Sequence, residues 1–239
     1  NIDYTSQMME FAEEFLSNID DVDGFILKSK SPSCGIRDVK VYPKNQKCSI
    51  NKKGQGIFSS KIIEKYSTIP IEDEGRLKNY NIRDEFLTKI FTINNLKCEN
   101  SILDFHNKNS LLLKSYDEEI YNDLNNIIIK ENMDEDDKTL YKNKVYEILN
   151  NKRDKSKRLN LIKNIFEKYK TYLSKNEINY FSNLLKLYEN GKIPFSSVIV
   201  AIQIYATRFD DKDLLNQTFF NPYPIELISI ADSGKGRNL

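Results

Sequence analysis

Two hydroxyls and a thiol fall within four residues in Lys28-Ser-Lys-Ser-Pro-Ser-Cys-Gly35, at Ser31, Ser33 and Cys34. A thiol in such company can act as a nucleophile or as a soft metal ligand, and a neighbouring hydroxyl can carry a proton. Pro32 fixes one φ and Gly35 frees another, as a tight turn presenting a side chain requires. On spacing alone Cys34 also fits a small buried packing residue, the ordinary fate of a single intracellular cysteine. His106 is the one histidine, so mechanisms needing two within this chain are excluded. A cysteine hydrolase pairing Cys34 with His106 is a weak reading. No orienting acid is evident, and packing or hydrogen bonding within a helix accounts better for the imidazole.

The elements around the thiol follow from local pattern. The apolar run Phe25-Ile-Leu27 enters the turn and the alternating Val39 and Val41 leave it, predicting strands over about 23–28 and 38–42. Ligands of open α/β sheets bind beyond the carboxyl ends of strands, which is where Cys34 falls. A preceding helix is expected from Thr5 as its cap, with Met8, Met9, Phe11, Ala12, Phe15 and Leu16 at helical spacing. Gly54-Gln-Gly56 reads as a turn before a helix through Phe58, Ile62, Ile63 and Tyr66. Those two glycines lack the rest of a dinucleotide-binding fingerprint. Pro70 to Leu77 has a proline start and a glycine break. A helix follows from about Asn81, with Ile82, Phe86, Leu87, Ile90 and Phe91 on one face. Two recognisable strands are too few for a stable open sheet, so further strands are expected from sequence outside this chain.

From about Asn100 the pattern becomes helix after helix, roughly six in all, marked by apolar sets such as Leu159, Ile162, Phe166, Tyr169 and Leu173. The fold class expected is an α/β remnant, an incomplete three-layer α/β domain over 1–97, followed by an all-α domain over 98–230 and a flexible tail over 231–239. The chain has 239 residues, a formal charge of +1, 30% charged and 39% hydrophobic residues. This is a globular composition, neither disordered nor strongly basic. Nothing approaches a membrane span, and three widely spaced cysteines do not make a disulfide framework, so a reducing cytoplasm is expected. Charge is uneven. Acids cluster over 131–137, whereas Lys152 to Lys175 holds nine Lys or Arg against two acids. Such a run is commonly a solvated helix face. It is also what a phosphate-contacting surface needs, and on that reading Lys157, Lys163 and Lys168 are its candidates.

Several motifs in order carry a family resemblance. Asp23-Gly-Phe-Ile-Leu-Lys-Ser-Lys-Ser-Pro-Ser-Cys-Gly35, Val39-Lys-Val-Tyr42, the glycine turn at 54–56, Pro70-Ile-Glu-Asp-Glu-Gly-Arg-Leu77 and Ile82-Arg-Asp-Glu-Phe86 resemble the thiouracil desulfidase (TudS) domain. Phe105-His-x-Lys108 and Gln217-x-Phe-Phe-x-Pro-Tyr-Pro-x-Glu-Leu227 resemble the YbgA-type helical domain found fused behind it. The resemblance implies a desulfidase with a [4Fe-4S] cluster held by three cysteines, acting on 4-thiouridine in tRNA or on a thiolated nucleotide. Cys34 matches its third cluster ligand. Ser31 matches a serine used for proton transfer or substrate positioning, with Ser33 a lesser candidate for that role. The family's other two cysteines and a catalytic glutamate lie upstream of residue 1, so a missing N-terminal segment is the partner this fragment requires for activity. Cys48 and Cys98 match nothing in the family. Arg76 is a further candidate phosphate contact if it projects into the cleft of Cys34; otherwise Glu72, Glu74 and Arg76 are expected to tie the two domains together. The competing reading is a non-catalytic tRNA- or protein-binding helical module on an α/β scaffold.

Overall fold

The computed structural model describes residues 3–19, 21–42, 50–99, 101–130, 132–229 and 231–233. The chain divides into two compact units, one of Asn1–Asn94 with Glu226–Leu239 and one of Asn95–Ile225. The division falls within a helix.

The first unit opens with α1 (Thr5–Ser17). Thr5 is its first residue rather than its cap, because its amide donates to the Asp3 carboxylate at 2.9 Å. Four short strands follow among the described residues: β1 (Phe25–Leu27), β2 (Val39–Val41), β3 (Ile50–Gly54) and β4 (Ile71–Asp73). The two expected strands do not pair with each other. β1 runs parallel to β4 with Phe25 opposite Ile71, and β2 runs antiparallel to β3. Sequence pattern misses β3 and β4 for a physical reason. Ile50-Asn-Lys-Lys-Gly54 and Ile71-Glu-Asp73 lack apolar alternation, and only their partners make them strands. Between them lies α2 (Ile57–Lys65), which packs on α1. Leu16, Leu27, Ile36 and Ile62 form the core of this unit, with Phe25, Phe58, Tyr66 and Ile71 around it. The unit ends in α3 (Tyr80–Cys98), whose last residues belong to the second unit.

Part of the expected tail is fixed here. Arg83 donates to the carbonyls of Ser229 and Ala231 at 2.6 and 2.9 Å, and the Ser233 amide donates to the Lys78 carbonyl. The remainder of that tail, 234–239, lies outside the described residues.

The second unit is all-α, in agreement with the periodicity. It contains α4 (Ile102–Tyr116), α5 (Glu118–Ile128), α6 (Glu135–Asn150), α7 (Lys155–Lys170), α8 (Lys175–Glu189), α9 (Phe195–Arg208) and the short α10 (Lys212–Leu215). Five successive helices start on a side-chain oxygen that accepts an exposed amide: Ser101, Asp117, Asp134, Asp154 and Ser174. Each cap is worth about 1 kcal/mol, and together they punctuate a sequence nearly devoid of glycine. α4 packs against α5, α6 and α7, with Phe105 edge-on to Tyr141, and Leu113, Tyr116, Val145 and Ile162 are buried in the same unit. No described helix is long and apolar enough to cross a membrane.

Candidate functional site

Residues 28–35 leave the end of β1 and fold onto the start of α2. The Gly35 amide donates to the Ser31 carbonyl at 2.9 Å, closing one helical turn around Cys34. The Ser33 carbonyl then accepts the amides of Phe58 and Ser59, at 2.9 and 3.1 Å. It caps α2, whose N-cap residue Gly56 has no side chain to do so. The contact is close enough to require glycine. A Cβ on Gly56 would stand 2.2 Å from the Ser33 carbonyl oxygen. Ser59, fully buried, donates to the Gly35 carbonyl at 2.8 Å and clamps the turn from below. The thiol is therefore carried on a turn bolted to a helix.

Around the sulfur, the amides of Ser33 and Cys34 both donate to the Ser31 hydroxyl oxygen, at 3.3 and 3.2 Å. Ser31 and Ser33 hydroxyls are 3.1 Å apart, and the Ser33 hydroxyl lies 3.3 Å from the Cys34 sulfur. Cys34 is half-buried and its thiol is free, as is that of Cys98. Cys48 lies outside the described residues. Two hollows are formed elsewhere, one between α1 and α2 and one in the helical unit, and Cys34 lines neither.

Beside the turn, Glu74 receives Lys28 Nζ and the Ser29 amide, each at 2.8 Å, and the Ser29 hydroxyl at 3.1 Å. Lys28 first, and the Ser29 amide after it, pull the Glu74 carboxyl down to about 2. Arg76 forms a fork with Glu72, Nε to Oε2 at 2.7 Å and Nη2 to Oε1 at 3.1 Å, both side chains being largely covered. That pair raises the guanidinium above its ordinary value. Glu72, Glu74 and Arg76 thus find these partners inside the first unit, where they join β1, β4 and the turn after β4. Arg76 is committed to a carboxylate.

His106 is buried and stacks on Tyr121 at 5.3 Å. Its Nδ1 lies 3.0 Å from the Tyr141 hydroxyl and its Nε2 2.8 Å from Asn125 Oδ1. Asn125 Oδ1 can only accept, so Nε2 carries the proton and Nδ1 accepts from Tyr141. Both ring nitrogens are occupied, and burial holds the imidazole below its ordinary pKa. This is an internal polar core, as its helical setting implied.

The basic stretch forms α7. Lys157 donates to Asp117 at 2.8 Å and to the Tyr116 carbonyl at 3.2 Å, tying α7 to the start of α5. Lys157 and Lys168 line a groove of about 820 Å³ whose rim also carries Asp117, Glu118, Asp211 and Asp213. Lys163 is exposed but, at 100° per residue, is turned well away from both. The three lysines do not make one basic patch.

A [4Fe-4S] cluster needs several thiolates. Among the described residues no three His, Cys, Asp or Glu side chains converge, so these residues do not by themselves hold one. Sequence reasoning singled out Cys34 and Ser31 but not the clamp from Ser59, whose serine-in-a-helix signal is generic. It also missed the Ser29–Glu74 bond, which joins residues 45 apart.

Comparison with known families agrees with this geometry. A family model described as 2-thiouracil desulfurase matches residues 1–74, which contain the Cys34 turn and end at Glu74. One described as a protein of unknown function (DUF1722) matches residues 110–224, within the helical unit. No curated protein and no solved structure matched the chain. Residues 1–74 thus match the 2-thiouracil desulfurase family and residues 110–224, in the same chain, the DUF1722 family.

Proposed function

We propose that this protein removes sulfur from a thiolated uracil, with 4-thiouridine in tRNA or as a nucleotide the substrate and uridine the product. One observation carries the reading. The 2-thiouracil desulfurase match encloses a free, half-buried thiol on a clamped turn, with the Ser33 hydroxyl 3.3 Å from it and the Ser31 hydroxyl behind Ser33. The reaction exchanges the thiocarbonyl sulfur for a water oxygen and releases hydrogen sulfide, with no net oxidation or reduction. It needs a group with affinity for soft sulfur and a group that delivers protons to it as it leaves. Cys34 meets the first need, and Ser31, acting through the Ser33 hydroxyl, the second. A [4Fe-4S] cluster belongs to this reading as a group to which Cys34 gives one thiolate. Its other cysteines, and a glutamate, come from outside the described residues. The helical unit serves tRNA recognition through the exposed lysines of α7.

The test is sulfide release from 4-thiouridine and from 2-thiouracil by the intact protein, purified without oxygen. Release from either, abolished in Cys34→Ala, supports the reading. Binding of tRNA with no sulfide release from any thiolated base would favour a recognition module instead.

A further inference from the structure

The geometry points to Ser33 as the positioning residue that donates a hydrogen bond to the Cys34 sulfur, at the end of a one-way chain from Ser31. This inference rests on the reading of Cys34 as the desulfurase thiol. A hydroxyl oxygen has two acceptor sites and one proton. Both acceptor sites of Ser31 Oγ are taken, by the amides of Ser33 and Cys34 at 3.3 and 3.2 Å. Ser31 can therefore only donate to its remaining neighbour, the Ser33 hydroxyl at 3.1 Å. Ser33 Oγ, accepting from Ser31, cannot donate back, so its own proton is free for the Cys34 sulfur at 3.3 Å, which as a thiolate can only accept it. The backbone of the turn thus fixes the first step of the chain, from Ser31 to Ser33, and the charge on the sulfur fixes the second. A donor aimed at sulfur stabilises negative charge there, whether the sulfur attacks, binds metal or passes a proton.

The role of the Ser33 hydroxyl is separable from that of its backbone. It is the carbonyl that caps α2, through Phe58 and Ser59, so Ser33→Ala keeps the cap and removes only the donor. Serine at this place matches a generic turn residue, and it was the family resemblance that put Ser31 ahead of it.

The experiment compares alkylation of Cys34 and Cys98 by iodoacetamide in the whole 239-residue chain at fixed neutral pH, with each site assigned by peptide mass. Cys98 reports reagent and handling within the same molecule. Loss of one hydrogen bond to the sulfur should lower the Cys34-to-Cys98 rate ratio by roughly three- to tenfold in Ser33→Ala. Ser33→Thr, which restores the hydroxyl, should return the ratio to the parent value. An unchanged ratio in Ser33→Ala, or a ratio in Ser33→Thr as low as in Ser33→Ala, would overturn the inference. Sulfide release by the intact parent protein separates the two claims. A lowered and rescued ratio with no desulfuration by the parent upholds the role of Ser33 and removes the proposed function. Active parent protein with an unchanged ratio in Ser33→Ala removes the role of Ser33 alone.

Discussion

The Ser31 oxygen gathers two amide protons and passes its own proton to Ser33, so its loss should disturb chemistry more than folding. Ser31→Ala is expected to retain the fold and any bound iron while slowing sulfide release by about a hundredfold, the scale of general-acid help. Iron content and turnover measured on one preparation check this; equal turnover would reduce Ser31 to a turn residue. Two titrating groups shape the acid side of a pH profile, in different windows. Glu74 has a folded-state value of about 2 against an ordinary 4.5, so its contribution to stability is present above 4.5 and is lost as pH falls toward 2. Its exposure to solvent screens that contribution, and Glu74→Gln should flatten the acid limb of a thermal-stability profile only modestly. His106 is held below its ordinary 6.5 by burial, so the unfolded chain takes up the proton more readily. Stability should be full above 6.5 and decline as pH falls below it, and His106→Gln should abolish that decline in melting curves. At this scale the sequence was most legible where chemistry and turn coincide, at Ser31 and Cys34. It was least legible where a role depends on a partner far along the chain, as for Ser29 with Glu74 or Tyr141 with His106.

Elements were legible in proportion to their own periodicity. The helices α4 to α8 announce themselves by apolar spacing and an Asp or Ser cap, whereas α9 starts after Pro194 with no side-chain cap. The strands β3 and β4 owe their form to register with β2 and β1, which no local pattern encodes. The seating of the Cys34 turn on α2 is likewise nonlocal and shows in the sequence only as Gly56. Gly56→Ala must push the Ser33 carbonyl aside, and a cost of about 1–3 kcal/mol is expected in urea unfolding, the usual range for overpacking. A null result there would mean that the turn slides on α2 and does not hold the thiol. In the helical unit, the two motifs at 105–108 and 217–227 prove to be neighbours. Gln217 reaches both ends of one rung of α4, accepting from the Leu111 amide at 3.1 Å and donating to the Asn107 carbonyl at 2.7 Å. It also accepts from Ser110 at 3.0 Å. Gln217→Ala should therefore cost about 0.5–1.5 kcal/mol, because its partners are half-buried or exposed and water can take its place.

At the scale of the molecule, the two units divide the proposed task into chemistry and recognition. A net charge of +1 gives no global attraction to RNA, so any binding must come from local lysines. Lys157 is engaged with Asp117, and reversing it should destabilise the helical unit before it reports on RNA. Lys163→Glu with Lys168→Glu is the cleaner probe. It should weaken tRNA binding and reduce the slope of log affinity against log salt by about 1–2, as loss of one or two phosphate contacts requires. An unchanged slope would leave α7 as a solvated face. The central claim, that the turn at 31–35 carries the desulfurase thiol, is tested most directly by sulfide release from 4-thiouridine in the intact protein and its Cys34→Ala variant, purified anaerobically. The account predicts stoichiometric sulfide and uridine from the parent and none above background from the variant. Parent-level sulfide from Cys34→Ala would contradict it.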